Sequence, residues 1–157
     1  MSDELDERLD AALASHAAKV EQARQVTDAR KAEMRANEEA WERICDAVVQ
    51  PSLEAVAARL VARDIEAVVT KSSNAVGLAF LPADSGQTLA TVSTLDRPWI
   101  RFEIHGMESC EAVVHQSTMT PRHGGKSGEL KRLMFDDVTA EEVTRLAVDL
   151  AEEVLSY

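Results

Sequence analysis

The chain has 157 residues, enough for one domain with a sizeable hydrophobic core, or for one domain with an added arm. Its formal net charge of −11 argues against direct binding to nucleic acid or to an anionic membrane, because the phosphates of both would repel it. Two cysteines, Cys45 and Cys110, are too few for a disulfide framework and favour a reducing compartment.

The sequence shows no targeting or membrane signal. No apolar run is long enough to span a bilayer, and the acidic N-terminus lacks the basic and then apolar layout of a signal peptide. We therefore expect a soluble cytoplasmic protein without a membrane partner.

Residues 1–50 predict a helical arm. Between Leu5 and Val49 there is no proline or glycine, and alanine, glutamate, arginine and lysine dominate, a composition that favours a helix. Residues seven apart would lie on one side of a supercoiled helix. A first seam at this spacing consists of Leu13, Val20, Thr27, Met34, Trp41 and Val48. A second, less apolar seam consists of Leu9, His16, Ala23, Arg30, Asn37 and Ile44.

The length of this arm favours self-association. At about 1.5 Å per residue the helix would reach roughly 65–70 Å, whereas the remaining residues form a globule with a radius of gyration of about 13 Å. The helix would then overhang its domain and pair with a second copy, a dimer being favoured, through Leu13, Val20, Met34, Trp41 and Val48. The alternative is a break at Asn37, an N-cap residue followed by two glutamates, which would give two shorter helices.

Residues 51–157 predict an α+β domain that begins with a short helix. Pro51 suits a first helical turn, so we expect a boundary there and a helix from Ser52 to Arg63 that covers one face of a sheet.

About six strands follow this helix. Alternating apolar residues and turn residues place them at 65–70, 75–81, 88–95, 99–105, 110–118 and 130–135. Connections this short cannot hold the crossover helices of a parallel sheet, so we predict an antiparallel meander.

The last predicted element is an amphipathic helix packed on the sheet. Thr139 and Glu142 form a capping box, in which each side chain would bond the backbone N–H of the other. Apolar residues then recur at helical spacing: Val143, Leu146, Ala147, Leu150 and Val154.

One face of the predicted sheet carries polar and aromatic side chains. In the strand 99–105, Ile100, Phe102 and Ile104 would point inward. The outward set would then form a ligand or partner face together with one residue of the next strand: Trp99, Arg101, Glu103, His105 and His115. A different hairpin register would instead place Cys110 beside His105. The simpler interpretation is an exposed face with cross-strand charge pairs.

The segment 120–127 resembles a phosphate-binding loop only at its Gly-Lys-Ser end. Such a loop needs glycine where Thr120 stands and a helix directly afterwards, and neither condition holds. We expect a mobile, basic loop whose Arg122, His123 and Lys126 could contact an anion or an acidic partner.

The sequence offers no convincing catalytic or metal-binding set. The candidate ligands His105, His115, His123 and Cys110 lack the short ligand spacings of known metal motifs. We predict no catalytic residue, metal or cofactor.

Three functions are compatible with these features. The first is a non-enzymatic adaptor, chaperone or inhibitor that binds a protein partner and self-associates through its arm. The second is a small-ligand-binding protein or enzyme with a pocket between sheet and helices. The third is an acidic nucleic-acid mimic that occupies a nucleic-acid-binding protein.

Overall fold

A computed structural model describes residues 2–106 and 108–156. It contains the helices α1 (Ser2–Ile44), α2 (Gln50–Val61) and α3 (Ala140–Leu155). The strands are β1 (Glu66–Lys71), β2 (Ala75–Leu81), β3 (Trp99–Ile104), β4 (Glu111–Ser117) and β5 (Ser127–Met134). The predicted α+β architecture, with a long N-terminal helix, an antiparallel sheet and a C-terminal helix, is confirmed.

The chain divides into two compact units, residues 1–36 and residues 37–157. The first unit is helix alone. From Ser2 to Ala36 no residue is buried, and only Met34 is half-buried. Helix α1 continues without a break to Ile44, so the alternative of a break at Asn37 is wrong. Asn37 is instead buried, with its side-chain oxygen 3.4 Å from the Cys110 sulfur.

Pro51 lies in the first turn of a new α-helix, as predicted, and the chain is helical on both sides of it. A π-helical turn at Cys45–Val49 joins α1 to α2, and the Gln50 N–H donates to the Cys45 carbonyl five residues earlier. A proline in a regular α-helix would clash with the carbonyl four residues before it, and a wider turn at this point relieves that clash. Helix α2 therefore runs from Gln50 to Val61. Its buried side chains continue the buried side of the helical path to which Val49 belongs.

The sheet is an antiparallel meander, as predicted, with the order β1-β2-β3-β4-β5. Within residues 2–106 and 108–156 it has five strands, not six. The segment 88–95, expected as a strand, forms turns. The Thr91 hydroxyl bonds the backbone N–H and carbonyl of Thr88, and the Ser93 hydroxyl accepts the Leu95 N–H. Such local side-chain bonds offer the backbone an alternative to a strand ladder, and they outweigh the strand preference of the β-branched residues here.

The core lies between one face of the sheet and the helical segments of the second unit. Val76, Leu78 and Phe80 of β2 alternate with residues that point to the opposite face. On the side of the sheet to which these three side chains point, α2 and α3 pack together. Trp41, Cys45 and Val49 belong to the same buried cluster. The face opposite these helices is called the outer face below.

Helix α3 begins at the predicted cap. Thr139 has an extended backbone, and its side chain accepts the Glu142 N–H at 3.2 Å. The reciprocal half of the predicted capping box does not form, since the Thr139 N–H donates to Asp137. The Glu142 carboxylate instead accepts hydrogen bonds from the side chains of Arg145 and Lys131. The predicted apolar stripe of this helix is buried throughout.

No helix within residues 2–106 and 108–156 combines the length and the apolar character needed to cross a bilayer.

Candidate functional site

The outer face of β3 and β4 brings together four of the five residues predicted there. Alternation in β3 points Trp99, Arg101 and Glu103 outward while Ile100 and Phe102 are fully buried. The hairpin register pairs Arg101 with His115, so the register that would place Cys110 beside His105 is wrong.

Glu103 is the centre of this group. One carboxylate oxygen lies 2.9 Å from the Nε2 atom of His115, and the other lies 3.6 Å from the Nε atom of Arg101. The Arg101 guanidinium in turn lies 5.0 Å from the centre of the Trp99 ring, a cation–π distance. Both carboxylate oxygens therefore have partners, Arg101 on the same strand and His115 on the next, and a cross-strand pair such as Glu103 with His115 contributes about 0.2–1 kcal/mol.

His105 lies at the end of β3, and its backbone N–H donates to the Glu111 carbonyl at 2.9 Å. Its charge acts on Glu129, a residue outside the predicted set. A hydrogen bond from Arg132 holds the pKa of Glu129 below its usual value, and the charges of His105 and His115 act in the same direction. Glu129 and Arg132 thus extend the outer-face group onto β5.

Glu129 was missed because β5 begins earlier than predicted. The strand starts at Ser127, and a bulge between Val114 and His115 shifts the pairing so that His115 faces Glu129. A bulge redirects the side chains beyond it, and no local sequence signal marked this one.

A small cavity of about 190 Å³ opens on the outer face beside this group. Its floor is Gly77 of β2, where an added Cβ atom would lie 3.1 Å from the Ile100 carbonyl oxygen. Arg97, Arg101 and Trp99 form part of its wall, and none of the described residues that line it bears a carboxylate. The cavity is smaller than the about 300–1,000 Å³ of typical ligand pockets. A glycine inside a strand pattern was the available signal for it.

The loop between β4 and β5 is held by its own hydrogen bonds. The Thr118 N–H donates to the Lys126 carbonyl at 2.9 Å, and the Lys126 N–H returns to the Thr118 hydroxyl at 3.0 Å. Thr120 and His123 bond in the same way at the tip. The predicted contact residues Arg122, His123 and Lys126 are all exposed on this loop.

The two cysteines differ in environment. Cys45 is buried in the core, and desolvation raises the pKa of its thiol to about 12, which keeps the sulfur in its unreactive thiol form. Cys110 is exposed. Within the part of the chain that the structure describes, no three His, Cys, Asp or Glu side chains are grouped so that they could hold a metal ion.

The first seam of α1 is divided between two environments. Leu13 and Val20 are exposed, and Met34 is half-buried. Trp41, in contrast, is 1% exposed and offers no surface to a second copy, and Val48 is half-buried against the core. The expectation that Trp41 takes part in self-association is corrected accordingly, and that for Val48 stays a prediction. Seven-residue spacing alone could not separate core contacts from an exposed seam.

Comparison with protein-family models, with curated proteins and with solved structures gives no match for this chain.

Proposed function

We propose that this protein is a non-enzymatic interaction module, an adaptor, chaperone or inhibitor, that self-associates through the first part of α1. The observation that carries this proposal is a helical unit in which no residue from Ser2 to Ala36 is buried and which nevertheless bears large apolar side chains. These exposed side chains are Leu5, Leu9, Leu13, Val20 and Val26.

A partner helix would supply the packing that this unit lacks. Most helical stability in proteins comes from burying an apolar face, and isolated helices are marginal in water. Burying a leucine or valine side chain contributes about 1.5–3 kcal/mol. Three such residues per copy, Leu9, Leu13 and Val20, offset an association cost of about 4–15 kcal/mol. We therefore expect a dimer whose population depends on protein concentration.

The test compares two exposed leucines. Leu13 is 65% exposed on α1, and Leu95 is 78% exposed in the segment between β2 and β3. Leu13→Glu should reduce the solution mass measured by light scattering towards the 17.2 kDa of one chain. Leu95→Glu introduces the same charge outside the helix and should leave the mass of the dimer unchanged. Equal masses for wild type and Leu13→Glu would refute the proposal.

A second candidate function rests on the cavity beside Gly77. Two arginines and the absence of a lining carboxylate favour a small organic anion there, although the protein as a whole is acidic. The apolar part of the wall, which includes Ala79 and Trp99, would suit a ligand with a hydrocarbon portion. The small volume and the cation–π contact that already engages Arg101 make this the weaker candidate.

Benzoate and its uncharged analogue benzamide can test this second candidate. Benzoate should perturb the amide NMR signals around Gly77, and Arg101→Gln should abolish the effect. Benzamide should bind more weakly, since it lacks the charge that the arginines would pair. If both compounds act equally, or neither acts, the anion site is excluded.

A further inference from the structure

Along the two seams of α1, acidic residues lie near the N-terminal end of the first unit and basic residues lie near its other end. Near the N-terminus, Asp6 continues the first seam seven residues before Leu13, and Asp10 flanks Leu9. Near the other end, Arg30 belongs to the second seam and Arg24 flanks Ala23. All four side chains belong to exposed residues. A pairing that brings these ends together is therefore favoured by charge.

We infer that two copies of this helix pair antiparallel, with residues whose numbers add to 36 facing each other across the seams. This inference rests on the proposed self-association and specifies its geometry. The facing pairs, each occurring twice by symmetry, are Asp6 with Arg30, Leu9 with Thr27, Leu13 with Ala23, and His16 with Val20.

The steric fit supports this pairing. Each large leucine faces a smaller side chain, since Leu9 lies opposite Thr27 and Leu13 lies opposite Ala23 of the second copy. Alternating large and small residues across facing positions lets the layers interdigitate. In a parallel pairing each residue would face its own copy, so Ala23 would meet Ala23 and leave the seam thin at that layer.

The charges decide between the two orientations. Antiparallel pairing places Asp6 opposite Arg30 across the seam and Asp10 beside Arg24 at its edge, with each contact made twice. Its one like-charge contact is at the symmetry axis, where Lys19 approaches its own copy. Parallel pairing would place Asp6 against Asp6, Arg30 against Arg30, and Lys19 beside Arg24 on both edges. Like charges in these positions oppose association.

Arg24 retains the capacity for this contact. It bonds Glu21 of its own helix at 2.7 Å, yet its side chain is 68% exposed. A guanidinium has five N–H donors, so one intrahelical bond leaves others for a carboxylate of the second copy.

Disulfide trapping distinguishes the orientations. The background is Cys110→Ser, which removes the exposed thiol, while the buried Cys45 stays in place. Leu9→Cys and Thr27→Cys chains are oxidised separately and as a mixture. In the antiparallel dimer, residue 9 of one copy is about 27 Å from residue 9 of the other along the helix axis, and the same holds for residue 27. A disulfide needs Cα atoms within about 7 Å, so only the mixture should give a cross-linked dimer.

The possible results separate this inference from the proposed function. Cross-linking of Leu9→Cys with itself and of Thr27→Cys with itself would show a parallel dimer, which overturns the inference and leaves self-association intact. No cross-link in any sample, with a dimeric mass in light scattering, would place the contact elsewhere and also overturn it. A monomeric mass at every concentration would overturn both.

Charge exchange provides a second measurement that needs no cysteine. Asp6→Arg alone and Arg30→Asp alone should each weaken association by roughly tenfold, because each replaces two attractive pairs by two repulsive ones. The double variant Asp6→Arg/Arg30→Asp should recover wild-type association. In a parallel dimer every variant would exchange one like-charge pair for another, so equal dissociation constants throughout would contradict the inference.

Discussion

The Trp41 indole N–H donates a hydrogen bond of 2.8 Å to the backbone carbonyl oxygen of Asn74, in the turn between β1 and β2. The same oxygen accepts the Ile104 N–H at 3.2 Å. One carbonyl group therefore joins the last turns of α1, the β1–β2 turn and the end of β3. The Trp41 ring also stacks on Phe135, with 5.5 Å between ring centroids. These contacts make this tryptophan a core residue.

Removal of the Trp41 side chain should destabilise the fold. Trp41→Ala leaves a cavity and removes one of the two hydrogen bonds that the Asn74 carbonyl accepts, for which we expect a loss of about 3–5 kcal/mol in the free energy of unfolding. Trp41→Phe keeps most of the apolar volume and should lose less. Urea unfolding followed by circular dichroism measures both.

Leu13→Ala is the matched control, because Leu13 occupies the same seven-residue series but is exposed. At a concentration where the protein is monomeric it should change the unfolding free energy by less than about 0.5 kcal/mol. Comparable losses for Trp41→Ala and Leu13→Ala would contradict the division of the helix into an exposed part and a core part.

The neighbouring glycines of the β4–β5 loop should respond differently to alanine. A Cβ atom at Gly125 would lie 2.6 Å from the Thr118 backbone carbon and hydroxyl oxygen, whereas at Gly124 it would meet nothing within 4 Å. Gly125→Ala forces the loop away from Thr118, and we expect a loss of about 1–3 kcal/mol. Gly124→Ala should be nearly neutral. Thermal unfolding of the two variants checks this, and equal melting temperatures would show that the loop is not packed as described.

The contribution of Glu142 to stability should depend on pH. Hydrogen bonds from Arg145 and, to a smaller extent, Lys131 hold the pKa of this carboxyl below its usual value. A lowered pKa in the folded state means stabilisation at neutral pH that is lost as protonation begins. Glu142→Gln should therefore lower the melting temperature by about 1–3 °C at pH 7.

The difference between wild type and Glu142→Gln should shrink as the pH falls below about 4.3, the ordinary pKa of glutamate. Glu141→Gln controls for the loss of a negative charge in the first turn of α3, because Glu141 also lies there. A difference between wild type and Glu142→Gln that stayed constant from pH 7 to pH 3 would exclude this role of the carboxylate.

The two thiols should react at very different rates. Thiolate is the reactive form, and burial raises the pKa of Cys45 to about 12 while Cys110 is exposed. In the native protein at pH 8, Ellman's reagent should modify one thiol per chain, and the second only after unfolding in guanidinium. Cys110→Ser should remove the fast reaction. Fast reaction of both thiols would contradict the burial of Cys45.

Local sequence patterns predicted the elements whose determinants lie within a few residues. The Thr139 cap and the apolar stripe of α3 follow from helical spacing, and the outward set on β3 follows from alternation. The segment 88–95 was misassigned because the Thr91 hydroxyl bonds the backbone of Thr88, a competition that strand propensity does not include.

Features set by distant partners could not be read from the sequence. The burial of Trp41 depends on Asn74 and Phe135, and the place of Glu129 beside His115 depends on a bulge. The helical connection between α1 and α2, just before Pro51, depends on a π-helical turn that no residue pattern predicted.

Sedimentation equilibrium of the intact chain over a wide concentration range tests the central claim most directly. Self-association through the first part of α1 predicts a mass that rises with concentration from 17.2 kDa towards twice that value. A mass that stays at 17.2 kDa up to the highest soluble concentration would contradict it.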